Sequence, residues 1–374
     1  MSAPRAVYFF FFAAASTLVP YLTLYYQTLG LSGIQIGILA AIPPIVSLFA
    51  APAWGALADK TRRHRTILLS AMGLSAIVNL SMILMQQFSS LAFIVAMAAF
   101  VTAPIIPLVD NSVIEQLGAR RNEYGKQRVW GSYGWGVAGL ASGWLVGKMG
   151  LPVIFVSYAL LLGLGLLMAR NFPVSAKGIG LHLGNNVLSL LTQRRWILFL
   201  LVVWIAGAGI AMFNNYYFIF LDQIGTSDGM MGVALALGIL SEIPFFIYSN
   251  RFLKRFGSAG VLLIGTGVIT IRNLVCSMVG IPWQGLALQL IQGPTFALVW
   301  VAGVEFASQI APPGMGATAQ GIFGGVFTGL GFASGSLLGG ILMQELGIRP
   351  MYQISALGVF LASLLFILVS RSKS

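Results

Sequence analysis

The chain has 374 residues, of which 58% are hydrophobic and 8% charged, with a formal net charge of +12. At a mean hydropathy of +0.90 it carries far more apolar surface than one globular core can hide, which excludes a soluble domain. The positive balance would point to nucleic acid in a soluble protein, but here the basic residues sit in short loops between apolar runs, where they read as topology signals.

The chain opens on its longest uncharged stretch. No charge occurs over the 53 residues from Ala6 to Ala58. Arg5, an apolar stretch and Ala13-Ala14-Ala15 mimic a signal peptide, yet apolar character continues through Tyr26, longer than a signal-peptide core. An uncleaved first span is expected, with no soluble domain before or after it. A bilayer crossing takes about 20 apolar residues, and the runs predict twelve spans: 6–29, 34–57, 66–86, 91–116, 127–148, 152–171, 196–220, 229–250, 259–280, 284–309, 317–342 and 350–370. Loops are short except 172–195, which carries Pro173, Lys177, His182, Arg194 and Arg195. The expected architecture is an all-α membrane protein of twelve transmembrane helices in two pseudo-symmetric six-helix bundles, 1–171 and 196–374, joined by a cytoplasmic linker at 172–195.

Seventeen of the 21 basic residues fall on one side of this layout: Arg5; Lys60, Arg62, Arg63 and Arg65; Arg120, Arg121 and Lys126; Arg170, Lys177, Arg194 and Arg195; Arg251, Lys254 and Arg255; Arg371 and Lys373. Lys148 and Arg349 face the other side, so both termini are expected in the cytoplasm.

A weak internal repeat runs at an offset of 195. The turn Gly30-Leu31-Ser32-Gly33-Ile34-Gln35-Ile36-Gly37 returns as Gly225-Thr226-Ser227-Asp228-Gly229-Met230-Met231-Gly232. The same offset lays Tyr21 on Tyr216, Asp110 on Glu305, Gly134 on Gly329, and the basic loop after Asp59 on Arg251-Phe252-Leu253-Lys254-Arg255. Two similar halves with an acid at equivalent intramembrane positions are the expected plan of a solute transporter.

Ionisable residues inside spans are the sharper signal, because a charge at mid-bilayer costs about 2.5 to 3.5 kcal/mol or more. Asp110 falls in the fourth span, Arg128 begins the fifth, Glu242 and Arg272 sit mid-way along the eighth and ninth, and Glu305 lies toward the cytoplasmic end of the tenth. Each half offers an acid and an arginine on consecutive helices, either as a structural salt bridge or as part of a solute and proton pathway. Glycines at Gly139, Gly143 and Gly147, at Gly331, Gly335 and Gly339, and at Gly321, Gly325 and Gly329 recur every four residues, a spacing that fits static packing and a sliding surface equally. The lone Cys276 excludes an intramolecular disulfide. Both histidines, His64 and His182, are in loops, so no metal site, no cofactor and no nucleophile–base pair of a membrane-embedded enzyme is expected.

The loop Gly55-Ala56-Leu57-Ala58-Asp59-Lys60-Thr61-Arg62-Arg63-His64-Arg65, between spans two and three, resembles the signature of the major facilitator superfamily. The resemblance implies the major facilitator fold, and a cytoplasmic latch at Gly55, Asp59 and Arg63. Asp110, Arg128 and Trp130-Gly131-Ser132-Tyr133-Gly134-Trp135, with Glu123-Tyr124-Gly125 between them, look like the proton-linked sugar permeases of the lactose permease family. That likeness implies solute binding by Asp110, Arg128 and Trp135, and it places Arg128 deep in the membrane. It likewise matches Glu242 and Arg272 to an acid and an arginine on spans eight and nine. The opening segment, with Val19-Pro20-Tyr21-Leu22, and Ile310-Ala311-Pro312-Pro313-Gly314 before Ala319-Gln320-Gly321, look more like the phenylpropionate permeases.

Spans one, four, seven and ten line the cavity throughout the superfamily, so Tyr21, Tyr25, Asn214, Asn215, Tyr216, Tyr217, Gln289, Gln292, Phe296 and Trp300 become candidate lining residues. Where the sugar permeases carry a histidine and a glutamate on span ten, this chain reads Gln289, Gln292 and Thr295. Proton coupling or gating therefore falls to Asp110, Glu242, Arg272 and Glu305. The expected activity is proton-coupled import of a small polar solute (sugar, nucleoside or aromatic carboxylate) by a monomer in a bacterial inner membrane, with no nucleic-acid partner. The alternatives are a drug or metabolite exporter of the same fold, against which span five lacks a Gly-Pro pair, and a transport-dead sensor.

Overall fold

The computed structural model describes residues 3–174, 193–312 and 315–371; most of the predicted linker lies outside them. The described residues are helical almost throughout, as lipid demands: a chain in hydrocarbon has to satisfy its own backbone polar groups. In chain order the helical segments are α1 (Ala3–Thr28), α2 (Gly33–Thr61), α3 (His64–Leu84), α4 (Phe88–Leu117), α5 (Tyr124–Met149) and α6 (Val153–Ala169). They continue with α7 (Arg194–Gln223), α8 (Asp228–Ile247), α9 (Ser249–Met278), α10 (Pro282–Ile310), α11 (Thr318–Leu346) and α12 (Ile348–Leu368). Ten of these are long and apolar enough to cross a membrane. The two that fall short are α5, diluted by glycine, serine and tryptophan, and α6, with 17 residues.

Helix ends depart from the hydropathy boundaries where charges begin. The helix α2 runs through Asp59 and Lys60 to Thr61, and α7 starts already at Arg194, inside the predicted linker. The basic stretch Arg251–Arg255, expected as a loop, is helical and joined to the rest of α9 across a kink at Gly257, whose φ is 67°. Charged side chains at a membrane edge reach water without ending the helix that carries them.

Prolines and short irregular turns interrupt the long helices. In α1 a 3-10 turn covers Val19–Tyr21 around Pro20; in α10 another covers Gln289–Ile291; in α11 a π-helical stretch covers Gly325–Gly331. In α4, Pro104 has no N–H for the carbonyl of Phe100 one turn earlier. Trp54 of α2 supplies the donor, its Nε1 lying 2.9 Å from Phe100 O, with the two rings 5.3 Å apart.

The chain forms two compact units. One comprises α1, α2 from Ile45, α3 to α6, and Ser227–Ala236 at the start of α8; the other comprises Ser32–Pro44 at the start of α2, α7, the rest of α8, and α9 to α12. In the first unit α1 packs along α5 and α6, and in the second α9 packs along α10 and α12. The second unit's core is lined by Phe199, Phe306, Phe323 and Phe327 with Trp196 beside them.

The glycine series form close seams within these units. A Cβ on Gly37 would meet Ser336 O at 2.9 Å and Gly340 Cα at 3.1 Å; one on Gly232, equivalent under the 195-residue offset, would meet Gly139 O at 2.9 Å and Gly143 Cα at 3.0 Å. The start of α2 thus lies backbone to backbone against α11 in the second unit, and the start of α8 lies likewise against α5 in the first. Gly331 and Gly335 abut α7 through Trp204 O, Gly207 and Ala208. Gly321, by contrast, faces open space.

After Thr61 the chain turns at Arg62, the one non-glycine residue with positive φ (54°) among those described. An L side chain in this region costs about 1 to 2 kcal/mol. Arg62→Gly is expected to raise the thermal unfolding temperature of the detergent-purified protein, and an unchanged or lower value would show the turn to be unstrained.

Candidate functional site

In the first unit, α1, α4 and α5 bring four polar side chains together. Arg128 Nη1 donates to Asp110 Oδ2 at 2.9 Å and Oδ1 at 3.2 Å, and Tyr8 donates from its hydroxyl to Asp110 Oδ1 at 2.5 Å. Tyr124, one turn before Arg128, accepts from the same Nη1 at 3.1 Å. The Arg128 guanidinium also lies 5.7 Å from the Phe12 ring. Tyr8 is fully buried, whereas the Arg128 side chain is 43% exposed and Asp110 24%.

Glycines permit this convergence. A Cβ on Gly134 would collide with the carbonyl of Phe9, and one on Gly131 with the ring of Phe12, so α1 reaches Asp110 only because α5 is bare at those two positions. Trp135 lies seven residues, or about two turns, beyond Arg128 on the same helix face and is half-buried. An arginine paired to a carboxylate, with free donor edges toward open space and aromatic rings alongside, can engage hydroxyl or carboxylate oxygens of a solute.

The second unit differs. Arg272 is fully buried, with its guanidinium 3.7 Å from the ring centroid of Phe213. Its Nη1 donates to Gln292 Oε1 and, at 3.2 Å, to Thr295 Oγ1. Glu242 on α8 forms no ion pair with it within 4.0 Å; among the described residues the ion pairs involve Asp59, Glu123 and Asp110. The two halves therefore do not repeat the acid–arginine pairing that spacing alone suggested. The reason is local: Arg272 spends its Nη1 on Gln292 and Thr295 and lies against the Phe213 ring, while Ser241, beside Glu242, pins α8 to the same stretch of α10 by donating to Gln289 O at 3.0 Å and accepting from Gly293 N at 2.9 Å.

Other candidate residues are more dispersed. Tyr21 and Tyr25 are buried, and Tyr25 packs edge-on against Phe155 at 4.9 Å. Tyr217 donates to Gly285 O at 2.5 Å and stacks on Phe213 at 4.5 Å. Asn215 bonds Ser336 Oγ at 2.7 Å, Asn214 is exposed, and Gln289 is buried. Glu305 is exposed and accepts from Gln309 Nε2 at 2.9 Å, so it joins neither cluster.

Residues 4–354 match the MFS_1 like family. The chain belongs to the major facilitator superfamily. Among its relatives, the maltose permease of Geobacillus stearothermophilus is 28% identical over 97% of this chain and 93% of that protein. The putative nucleoside transporter YegT of Escherichia coli is 25% identical over 85% and 78%, and the multidrug resistance protein MdtG of Salmonella paratyphi C is 27% identical over 95% and 91%. The fold is that of the solved nucleoside transporter NupG, with a TM-score of 0.85 at 17% identity, covering 98% of this chain and 97% of that one. The superfamily is one of multi-pass membrane transporters of small molecules, not of enzymes.

The loop that resembles the superfamily's signature is built tightly. Asp59 Oδ1 lies 2.9 Å from His64 Nε2, and His64 is buried at the first turn of α3. Gly55 is half-buried in α2, and Arg63 is exposed at the start of α3. Arg65 donates to the carbonyl of Arg170 at the end of α6, where a cation suits the unpaired carbonyls of a helix C-terminus.

Sequence reasoning missed Tyr8, Tyr124, Phe12 and Phe213 as members of these clusters. Tyr124 had a signal in its spacing, one helical turn from Arg128; Tyr8 and Phe12 sit in a run of aromatics where nothing in composition separates a ligand from packing.

Proposed function

We propose that this protein imports a small polar organic solute, a sugar, a nucleoside or an aromatic carboxylate, by proton-driven alternating access. The observation that carries the reading is the Asp110–Arg128 pair held by Tyr8 and Tyr124. Arg128 presents donors to solute oxygens, and Trp135 offers a ring face two turns away. A solute that draws Arg128 off Asp110 leaves the carboxylate in need of a new partner, and a proton supplies one, so that solute and proton binding are linked. Glu242, Arg272 and Glu305 complete the set of intramembrane ionisable groups available for coupling or gating. The seams at Gly37–Gly340 and Gly143–Gly232 are the contacts that would part and re-form during transport. Asp59 and Arg63, with Gly55, act as the cytoplasmic latch.

In this reading all twelve helical segments cross the inner membrane of a bacterium, both termini are cytoplasmic, the halves are 1–171 and 196–374, and the monomer is the working unit. The permease and nucleoside transporter among the relatives support the solute range. Export is the second reading, favoured by the likeness to MdtG.

The test is uptake into cells and into proteoliposomes with an imposed proton gradient, using sugars, nucleosides and aromatic acids. The wild type is expected to accumulate one class, and Asp110→Asn to equilibrate it without uphill accumulation. Accumulation that survives in Asp110→Asn removes that residue from coupling; accumulation only in inverted vesicles turns the reading to export.

A further inference from the structure

The second unit contains a buried cation that, among the described residues, no carboxylate meets within 4.0 Å. Two nitrogens of Arg272, Nε and Nη2, are buried and have no hydrogen-bond partner. Its third donor group, Nη1, is taken by Gln292 and Thr295, and the ring of Phe213 underlies the guanidinium plane. Arg128 is the contrast within the same chain, ion-paired to Asp110 and 43% exposed. An arginine keeps its charge in proteins, and leaving charged donors buried and unmatched costs more than leaving neutral ones.

Nε and Nη2 form one edge of the guanidinium, with parallel N–H vectors. A carboxylate matches that edge with both of its oxygens. Its single negative charge balances the one cation, which a phosphate dianion would overshoot. Phe213 from below, and Gln292 and Thr295 from the Nη1 side, hold the plane in place, so the edge is set before anything binds.

We propose that the Nε–Nη2 edge of Arg272 docks the carboxylate group of the transported solute, which makes the solute an organic anion. The proposal rests on the transport reading above and narrows its solute range. The edge is closed to solvent in this structure, so a solute reaches it only when the surrounding side chains part. The 3-10 turn Gln289–Ile291 next to Gln292 is the break in the helical wall closest in sequence to the guanidinium's own partners.

The full-length protein in detergent is heated with sodium formate, the smallest carboxylate, and with sodium chloride at equal ionic strength. Formate is expected to raise the unfolding temperature saturably, by roughly 2 °C or more, where chloride does not. The rise is lost in Arg272→Gln and in Arg272→Lys, which keeps the charge without the fork and serves if the glutamine variant does not fold. Absence of a formate-specific rise in the wild type, or its persistence in both variants, overturns the proposal. A rise that appears only in Glu242→Gln assigns the edge to the protein's own carboxylate and also overturns it. Uptake separates this from the transport reading. Accumulation of neutral sugars or nucleosides, but of no carboxylate, leaves the transporter standing and removes the anion. A formate-specific shift without accumulation of any solute does the reverse.

Discussion

Gly134→Ala is expected to cost about 3 kcal/mol of stability, at the upper end for overpacking, and to abolish uptake. The added methyl would strike the carbonyl of Phe9, which is backbone and has no rotamer to yield. Relieving the clash pushes α1 away from α5, and α1 carries Tyr8 and Phe12, two of the side chains arrayed around Asp110 and Arg128. The damage is therefore to packing and to the polar cluster at once. Gly163→Ala in α6 is the matched control: nothing lies within 4 Å of its would-be Cβ, and alanine favours a helix over glycine by about 1 kcal/mol. Thermal unfolding in detergent, with a solute the wild type accumulates as the transport readout, separates the two. Equal behaviour of both variants would show that the α1–α5 contact is not the constraint described.

The second large effect concerns the Asp110–Arg128 pair as a unit. Asp110→Asn and Arg128→Gln each strand a charge in a low-dielectric setting, and each single change is expected to destabilise the protein. The double variant removes both charges and should be less damaged than the two singles added together. For a fully buried pair, breaking one side costs about 3 to 5 kcal/mol. With Arg128 43% exposed and Asp110 24% exposed, solvent screening reduces the coupling to about 1 to 2 kcal/mol. Strict additivity across the cycle would mean that the two groups do not sense one another and that their contact is incidental. Uphill accumulation should fail in all three variants: Asp110→Asn loses the coupling carboxylate, Arg128→Gln loses donors for the solute, and restoring charge balance in the double variant restores neither.

Much of the fold was legible because lipid imposes a pattern that hydropathy measures directly: length and absence of charge mark where helices lie. Their ends were less so. Asp59, Lys60 and Arg251 to Arg255 lie in helices although they look like loop residues, since a helix has no reason to stop at a membrane surface that its side chains can reach past. The first charge cluster was legible from Asp110 and Arg128, two ionisable groups eighteen residues apart in adjacent spans. The second was misjudged for a geometric reason. Hydropathy sets the depth of Glu242 and Arg272 but not the direction each side chain takes around its helix axis, and Arg272 turns to Phe213 and Gln292 instead of to the acid. Tyr8 was hidden by its neighbours: among Phe9, Phe10, Phe11 and Phe12, a tyrosine that bonds a carboxylate looks the same as one that fills space.

The indole of Trp54 and the carbonyl of Phe100 bear on what can move. Water relieves an orphaned carbonyl at a protein surface, but hydrocarbon offers no substitute donor. Sliding α2 away from the proline break in α4 would uncover that oxygen in lipid, at a cost of several kcal/mol. The two helices are in effect bolted together at this level, and whatever motion carries a solute across must take them as one piece.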